Sequence, residues 1–237
     1  MAISVKLTRI TEDPILAIEE AASNCYDSEP SPDGKIMKSC YKSGHHSVLE
    51  FADFTFHIEG ISRACSHQLV RHRCASYAQR SQRYCSESGF QFVIPDSIKN
   101  NKEALFCYEH FMEAIECEYE KLQKLGIPNE DARMVLPNAC ETVIEVKMNG
   151  RELIHFMNER LCSRAQWEIR KMAQLMKKEV ENYNDQCKLY SEFLVPKCEK
   201  YGKSFAFCTE RKSCNKHPTL NDVYNAYLKT KEGGTND

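Results

Sequence analysis

Short stretches in which every second residue is apolar place the most constraint on how this chain folds. Apolar residues occupy alternate positions in 3–7, in 53–59 and in 142–148. This period of two is typical of a β-strand with one buried face. We therefore predict a strand in each stretch. We predict a further strand over 90–94, ended by Pro95.

Helical patterns occupy most of the chain between and after these strands. Asp13-Pro14 has the form of an N-cap followed by proline at the first helical position, which predicts that a helix starts there. The predicted helices cover 14–26, a short segment that stops at Gly44, 62–72, 99–125 closed by Gly126 and Pro128, and 150–183. Strands and helices that follow no regular βαβ rhythm indicate an α+β fold, with a mixed or antiparallel sheet flanked by long helices.

No composition shift or linker divides residues 1–185, which we therefore interpret as a single catalytic domain. The less regular segment 186–237 is interpreted as a C-terminal appendage of uncertain structure. No apolar run reaches the length of a membrane span, and the N-terminal residues lack the pattern of a secretory signal. The chain has thirteen cysteines but no Cys-x-x-Cys pair. These features favour a cytoplasmic protein whose thiols are reduced.

A dense group of basic residues lies between Arg71 and Arg83, in a chain whose net charge is only -2. Four arginines and His72 fall in this segment. An anion site in such a chain has to come from local clustering, and arginine offers paired donors that match phosphate oxygens. In a helix over 62–72, Gln68, Arg71 and His72 would share one face. An extended chain after it would direct Ser81 and Arg83 at the same ligand.

The charges alone leave other interpretations of this segment open. The arginines could pair with surface carboxylates and have no further role. They could form a nucleic-acid patch with Tyr77 and Tyr84 as stacking platforms, although the near-neutral isoelectric point disfavours it. Ser81 could be a covalent nucleophile with His72 as its base, but phosphate binding explains Ser81 more simply.

A specific pattern in this segment resembles the signature of the flavin-dependent thymidylate synthases. Arg71-His72-Arg73, a gap of seven residues, Ser81, and then Arg83-Tyr84 reproduce it. Three further blocks resemble family segments in the same order: Gly44 to Glu50, Ala132 to Pro137, and Asn149-Gly150-Arg151 with His155, Arg160 and 165–170. Four separated blocks in one order are far more specific than a single short motif.

This resemblance implies the activity, the cofactors and the assembly. The family methylates dUMP to dTMP, takes the carbon from 5,10-methylenetetrahydrofolate, and uses FAD reduced by NADPH as the hydride source. The resemblance thus implies a methyltransferase of nucleotide biosynthesis, a flavoprotein that oxidises NADPH. Its members are homotetramers whose active sites combine several subunits. Neither a nucleic acid nor a membrane is implied as a partner.

The resemblance also assigns roles to individual residues. Arg160 is the implied catalytic residue, because an arginine stays protonated and can stabilise negative charge on the uracil ring. The implied FAD-binding residues are His45, Ser47, Glu50, Arg71, His72, Arg73, Gln79, Asn149, Arg151 and His155. The implied dUMP-binding residues are Gln68, Arg71, Gln79, Arg80, Ser81, Gln82, Arg83, Arg133 and Arg160.

Two positions depart from the pattern of some members. Gln79 stands where several members carry glutamate, so whether it contacts FAD or dUMP stays open. His155 stands where some members have asparagine, and a neutral imidazole can still donate one hydrogen bond.

Arg151 and His155 are four residues apart and would share a helical face, whereas Arg160 would lie half a turn away from Arg151. One helix therefore directs both arginines at one site only if it ends early or serves two sites.

A loose group of metal-binding residue types follows the matched region, at Cys198, Cys208, Cys214 and His217. Three thiolates and an imidazole could bind zinc, but the spacings lack the tight Cys pair of structural sites. Free thiols are therefore the default interpretation, and no metal site is assigned.

Overall fold

The computed structural model describes residues 2–232, which form two compact units. The first unit contains the N-terminal residues as far as Thr8 together with 55–147. The second contains 9–54 and, of the described residues, 148–232. Each unit is thus assembled from stretches that lie far apart in the sequence.

Four strands and ten α-helices make up the regular structure of residues 2–232. The strands are β1 Ser4–Ile10, β2 Asp53–Ser62, β3 Ala75–Gln79 and β4 Glu141–Asn149. The helices are α1 Pro14–Tyr26, α2 Lys35–Lys42, α3 Arg63–Leu69, α4 Asp96–Lys99, α5 Lys102–Lys124, α6 Asn129–Ala132, α7 Gly150–Arg160, α8 Trp167–Glu181, α9 Asp185–Ser191 and α10 Leu220–Glu232. Turns of 3₁₀ helix occur at His46–Phe51, Arg133–Val135, Lys197–Glu199 and Lys203–Phe205.

The strands form one antiparallel sheet in the order β1-β2-β4-β3, so the α+β prediction is confirmed. Phe56 and Ile58 of β2 and Ile144 and Val146 of β4 are fully buried, because they project from one face of the central pair. His57 and Glu145 lie opposite each other on the other face, which is polar. The two central strands are therefore the ones with the clearest period of two.

Most of the predicted elements are confirmed, some with shifted ends. The strands predicted at 3–7, 53–59 and 142–148 are β1, β2 and β4. Helix α1 begins at Pro14 as predicted, but the Asp13 side chain makes no capping hydrogen bond. The short helix α2 is followed by Gly44 with φ of 82°, the left-handed conformation that glycine adopts without strain.

The first unit differs from the predictions at three places. The helix predicted over 62–72 ends at Leu69, because the chain turns there, and its backbone is not helical through His72. The strand predicted over 90–94 is only an isolated bridge between Phe92 and Cys140. Phe90 and Cys140 pack with Met112 of α5 in a small apolar cluster. Strand β3 was missed, because its residues include no run of alternating apolar side chains.

In the second unit, a close backbone contact fixes the start of α7. The Gly150 N–H donates to Ala52 O at 2.7 Å, and its carbonyl oxygen accepts from the Tyr190 hydroxyl at 2.7 Å. Tyr190 of α9 is fully buried, as are Cys187 and Leu194. Residues beyond 185 thus contribute to the core of this unit. Among residues 2–232, no helix has both the length and the apolar character that crossing a bilayer requires.

Candidate active site

In the first unit, the end of α3 presents the basic residues of the Arg71-His72-Arg73 motif. After Leu69 the chain makes a turn in which the Arg71 and His72 N–H groups donate to Gln68 O and Leu69 O. The Tyr77 hydroxyl of β3 lies 2.9 Å from Leu69 O and 2.7 Å from His72 O. Strand β3 therefore holds this turn against the sheet.

The motif arginines project outward from this turn, while its histidine does not. Arg71 and Arg73 are exposed, and His72 is buried. Within residues 2–232, neither the Arg71 nor the Arg73 guanidinium makes an ion pair. Two exposed cations this close together repel each other unless an anion lies near them. The turn is therefore suited to bind a phosphate or pyrophosphate group.

The other two arginines of the basic segment do have carboxylate partners. Arg80 Nε lies 3.2 Å from an oxygen of the buried Glu87, and Arg83 Nε lies 2.5 Å from an oxygen of Glu130. Pairing with carboxylates, one of the alternatives from the sequence, thus describes Arg80 and Arg83 in this structure. Arg83 also lies over the Tyr84 ring, 5.3 Å from its centroid.

Glu130 brings together two stretches predicted to bind the nucleotide. Its carboxylate accepts from Arg83, and its backbone carbonyl accepts from Arg133 Nε at 3.1 Å. Arg133 is half-buried at the start of a 3₁₀ turn directly after α6. The side chains of Arg83 and Arg133 therefore both contact Glu130, although fifty positions separate the two arginines in the sequence.

Ser81 lies in a turn and not in the extended chain expected from the sequence. Its hydroxyl accepts from the Arg83 N–H at 3.2 Å, and its carbonyl accepts from the Cys85 N–H at 3.0 Å. The turn brings the Arg83 backbone close to the serine hydroxyl. A serine hydroxyl, backbone N–H groups and guanidinium groups are the donors that phosphate oxygens accept from.

Two glutamines of this segment are already engaged by neighbours. Gln79 donates through Nε2 to Ser66 Oγ at 2.9 Å and to Thr142 Oγ1 at 3.2 Å, so its carbonyl oxygen is the end of the amide that remains for a ligand. Gln82 donates to Cys140 Sγ at 3.8 Å. Burial raises the pKa of Cys140 to about 11, so this thiol is protonated at neutral pH and is a poor nucleophile. Gln68 is half-buried in α3.

In the second unit, residues from two distant blocks meet at the start of α7. His45, Ser47 and Glu50 are exposed in and just before the 3₁₀ turn His46–Phe51. Arg151 Nη1 lies 2.7 Å from Glu50 Oε1. The ion pair joins two of the predicted FAD-binding blocks, which the sequence separates by about a hundred residues.

Helix α7 determines which of its polar side chains reach solvent. Asn149 is the N-cap and accepts from the Glu152 N–H at 2.9 Å, so its side-chain oxygen stabilises the helix start. Arg151 and His155 are both exposed, and the prediction that they share a helical face is confirmed. Arg160 is the last residue of the helix and is half-buried. Helix α7 thus includes both arginines and does not end early enough to redirect Arg160, so the first of the two conditions stated above is not met.

The structure also identifies residues that the sequence did not single out for these roles. Glu87 and Glu130 neutralise Arg80 and Arg83, and no spacing rule relates Glu130 to an arginine 47 residues earlier. Tyr77 was considered only as a stacking platform, whereas its hydroxyl fixes the Arg71–Arg73 turn. Its position five residues after His72, in a stretch without a clear pattern, gave no indication of this contact.

Comparison with known proteins identifies the family. A sequence model of the family Thy1, thymidylate synthase complementing protein, matches residues 6–183. A flavin-dependent thymidylate synthase from Geobacter sulfurreducens is 48% identical over 181 residues, which cover 71% of this chain and 78% of the relative. A protein of the same name from Pyrococcus furiosus is 41% identical over 224 residues, covering 88% of this chain and 90% of the relative.

A solved structure shares the fold. The UMP/dUMP methylase PolB from Streptomyces cacaoi, bound with 5-Br dUMP, has a TM-score of 0.69 and 23% identity, and the match covers 81% of this chain and 94% of that chain. At this level of identity the likeness concerns the architecture alone. The family match over residues 6–183 and the relatives above 40% identity lead to one assignment. This chain belongs to the Thy1 family, that of the flavin-dependent thymidylate synthases.

Proposed function

We propose that this protein is a flavin-dependent thymidylate synthase that converts dUMP to dTMP, with 5,10-methylenetetrahydrofolate as carbon donor and NADPH-reduced FAD as hydride source. Family membership supports the reaction class. The observation in the structure that carries the proposal is the Arg71–Arg73 turn. It presents two guanidinium groups that no carboxylate of the described residues neutralises. Both FAD and dUMP are anions that such a turn would bind.

The chemistry of the donor set fits FAD. The cofactor carries a pyrophosphate, and the exposed guanidinium groups of Arg71 and Arg73 are donors for it. We propose that Gln79 and His72 support this contact. In the assembled protein, the further FAD-binding residues would be His45, Ser47, Glu50, Asn149, Arg151 and His155. When bound, FAD supplies the hydride that reduces the transferred carbon.

A second set of residues would bind dUMP. Ser81 and Arg83 lie in one turn, and Arg83 and Arg133 meet at Glu130, so three donors for the phosphate are close to each other. The carboxylate of Glu130 would have to share or release Arg83 when the dianion arrives. The full proposed set is Gln68, Arg71, Gln79, Arg80, Ser81, Gln82, Arg83, Arg133 and Arg160.

Arg160 is the proposed catalytic residue. Carbon C5 of the uracil ring becomes nucleophilic when electron density moves into the ring, and negative charge then gathers at N3 and the adjacent oxygens. A guanidinium remains protonated throughout the working pH range, so Arg160 stabilises that charge without exchanging a proton. Its position at the last residue of α7 separates it from the helical face of Arg151 and His155.

We propose that the protein assembles as a homotetramer in the cytoplasm and that residues of several subunits complete each active site. Catalytic residues from distant blocks support this assembly, since α7 alone presents Arg151 and Arg160 half a turn apart. We further propose that the catalytic residues all lie in 1–185 and that 186–237 is an appendage in the sense that it adds no catalytic residue, although Tyr190 packs in the core. The family match over 6–183 is consistent with that division.

Spectroscopy and product analysis test the proposal together. Purified protein should be yellow, with a flavin spectrum that bleaches on anaerobic addition of NADPH, faster when dUMP is present. With methylenetetrahydrofolate, dUMP should yield dTMP by chromatography. A colourless protein that makes no dTMP after FAD is added, and that binds RNA with steep salt dependence, would instead support a nucleic-acid-binding module.

A further inference from the structure

The end of α7 borders a cavity that contains many metal-binding residue types. Its volume is about 250 Å³. Asn158, Glu159 and Arg160 contribute to one side of it. The thiol, carboxylate and imidazole groups that line it are Cys162, Cys198, Cys208, Cys214, Glu159, Glu199, Glu210 and His217. All of them belong to the second unit.

Three of these groups are close enough to surround one ion. The Cys198 thiol, a Glu199 carboxylate oxygen and a His217 ring nitrogen all lie within 4.8 Å of one another. Ligand atoms of a tetrahedral zinc site lie roughly 3.5 Å apart, given bonds of about 2.0 to 2.3 Å. Side-chain rotations that move the ligand atoms by about 1 Å would therefore let Cys198 and His217 bind one ion between them.

The backbone holds the three stretches of the cavity together. The Phe207 N–H donates to Cys198 O at 3.1 Å, and the Cys208 N–H donates to Pro218 O at 2.7 Å. Cys208 also pairs with Thr219 in an isolated bridge. The residues on both sides of Cys198, Cys208 and His217 are thus already adjacent.

This segment has little apolar core of its own. Between Val195 and Leu220, Cys208 is the only buried residue, and the regular structure consists of two 3₁₀ turns and one bridge. Small loop-rich segments of this kind commonly depend on a disulfide or a metal for stability. All thirteen cysteines are free in the structure.

The donor types in the cavity also favour a metal ion. Four thiols and an imidazole line it. A divalent cation stabilises thiolates that bind it. Sulfur and imidazole donors select zinc over magnesium or calcium, which take oxygen ligands.

We propose that this cavity is a structural zinc site. Cys198 and His217 of the close group bind the ion, and Cys162 and Cys208, which line the same cavity outside that group, move in to complete its four ligands. Glu199 lies 3.3 Å from His217 Nε2 and orients the imidazole ring, leaving Nδ1 for the metal. Bound zinc would tie the segment 197–217 to the loop after Arg160. The site does not depend on the proposed activity.

Metal analysis of the full-length protein tests the site. The tag-free protein, purified without chelators from zinc-supplemented medium, should contain about one zinc per chain by inductively coupled plasma mass spectrometry. X-ray absorption at the zinc edge should give sulfur neighbours at about 2.3 Å and nitrogen at about 2.0 Å. The variants C198S and H217A should lose the zinc, whereas C107S on the exposed face of α5 should keep it.

Two further measurements keep the proposal open to refutation if a variant does not fold. E199Q leaves the ligands in place and should weaken zinc binding by about 10- to 100-fold. Chelation of the wild-type protein should lower its melting temperature, and zinc should restore it. Protein that stays zinc-free after reconstitution, equal zinc content in wild type, C198S and H217A, or a Cys198–Cys208 disulfide in the native protein would each overturn the proposal.

Discussion

Glu50 and Arg151 form an ion pair of 2.7 Å that connects the 3₁₀ turn after α2 to the first turn of α7. Both side chains are about half exposed, so the pair itself adds little to stability. The pair instead positions a side chain, because it holds the Arg151 guanidinium in one direction beside the exposed His155. We therefore expect Arg151→Ala to weaken FAD binding by about 10- to 100-fold, the loss typical of a charged hydrogen bond.

Flavin fluorescence titration of the apoprotein measures this effect. Arg151→Lys keeps the charge but loses the planar fork, so its affinity should fall between those of the wild type and the alanine variant. Lys171→Ala on α8 removes an exposed cation elsewhere and serves as the control. Equal FAD affinity in Arg151→Ala and the control would remove Arg151 from the cofactor site.

Tyr77 positions the turn that carries Arg71 and Arg73. Loss of its hydroxyl in Tyr77→Phe removes the contacts to Leu69 O and His72 O, which should cost about 1 kcal/mol of stability. The loosened turn should also weaken FAD binding several-fold. Tyr108→Phe is the matched control, since it removes a hydroxyl that donates to Val93 O at 2.9 Å, away from the turn. A drop in stability without any change in FAD affinity would limit Tyr77 to a structural role.

The period of two in 53–59 and 142–148 predicted the central strands, because every second side chain of each strand, such as Phe56 or Ile144, is buried on one face of the sheet. The motifs also predicted site residues, and the structure brings two of them, Arg83 and Arg133, to the same residue, Glu130. The sequence failed where tertiary contacts decide the local structure. Helix α3 ends at Leu69 because Tyr77 binds the turn that follows, and the Arg83–Glu130 pair forms between elements whose proximity only the fold creates.

Gly150 occupies a position where a side chain has no room. A Cβ added there would lie 2.5 Å from the Tyr190 hydroxyl and 2.6 Å from Leu49 O. We expect Gly150→Ala to lower the free energy of unfolding by about 1–3 kcal/mol, the usual cost of overpacking. Denaturant unfolding measures it.

The double variant Gly150→Ala/Tyr190→Phe distinguishes the two clashes. It removes the hydroxyl but leaves the contact with Leu49 O, so only part of the stability should return. Gly44→Ala, with nothing within 4 Å of the added Cβ, isolates the cost of the positive φ alone. A Gly150→Ala protein as stable as the wild type would show that the start of α7 can shift.

His57 makes stability depend on pH. Two hydrogen bonds raise the pKa of His57 above its usual 6.5. The bond to Glu59 has the larger effect, followed by the bond to Glu145. A raised pKa means that the protonated form is favoured by folding. Its contribution is complete below about pH 6.5, the unfolded value, and disappears as the pH rises through the folded value.

Thermal unfolding of the wild type and His57→Gln from about pH 5.5 to 8.5, a range that spans the usual His pKa, measures this contribution. The melting temperature of the wild type should exceed that of the variant at the acidic end, and the difference should shrink as the pH rises. A difference that stays constant or grows with pH would contradict the assigned role of the two glutamates.

Arg160 ends α7, away from the face that presents Arg151 and His155, so binding of flavin and turnover should depend on different parts of this helix. Arg160→Ala should retain bound FAD, shown by the visible spectrum, yet lose turnover by at least about 100-fold, the size typical of a removed oxyanion donor. Arg160→Lys keeps a charge without the fork and should recover only part of the rate.

Arg9→Ala on β1 controls for the loss of a surface cation and should turn over at the wild-type rate. Since the zinc cavity borders this helix end, metal content is measured on each variant. An Arg160→Ala protein with full zinc, full flavin and unchanged turnover would assign the charge stabilisation to another residue.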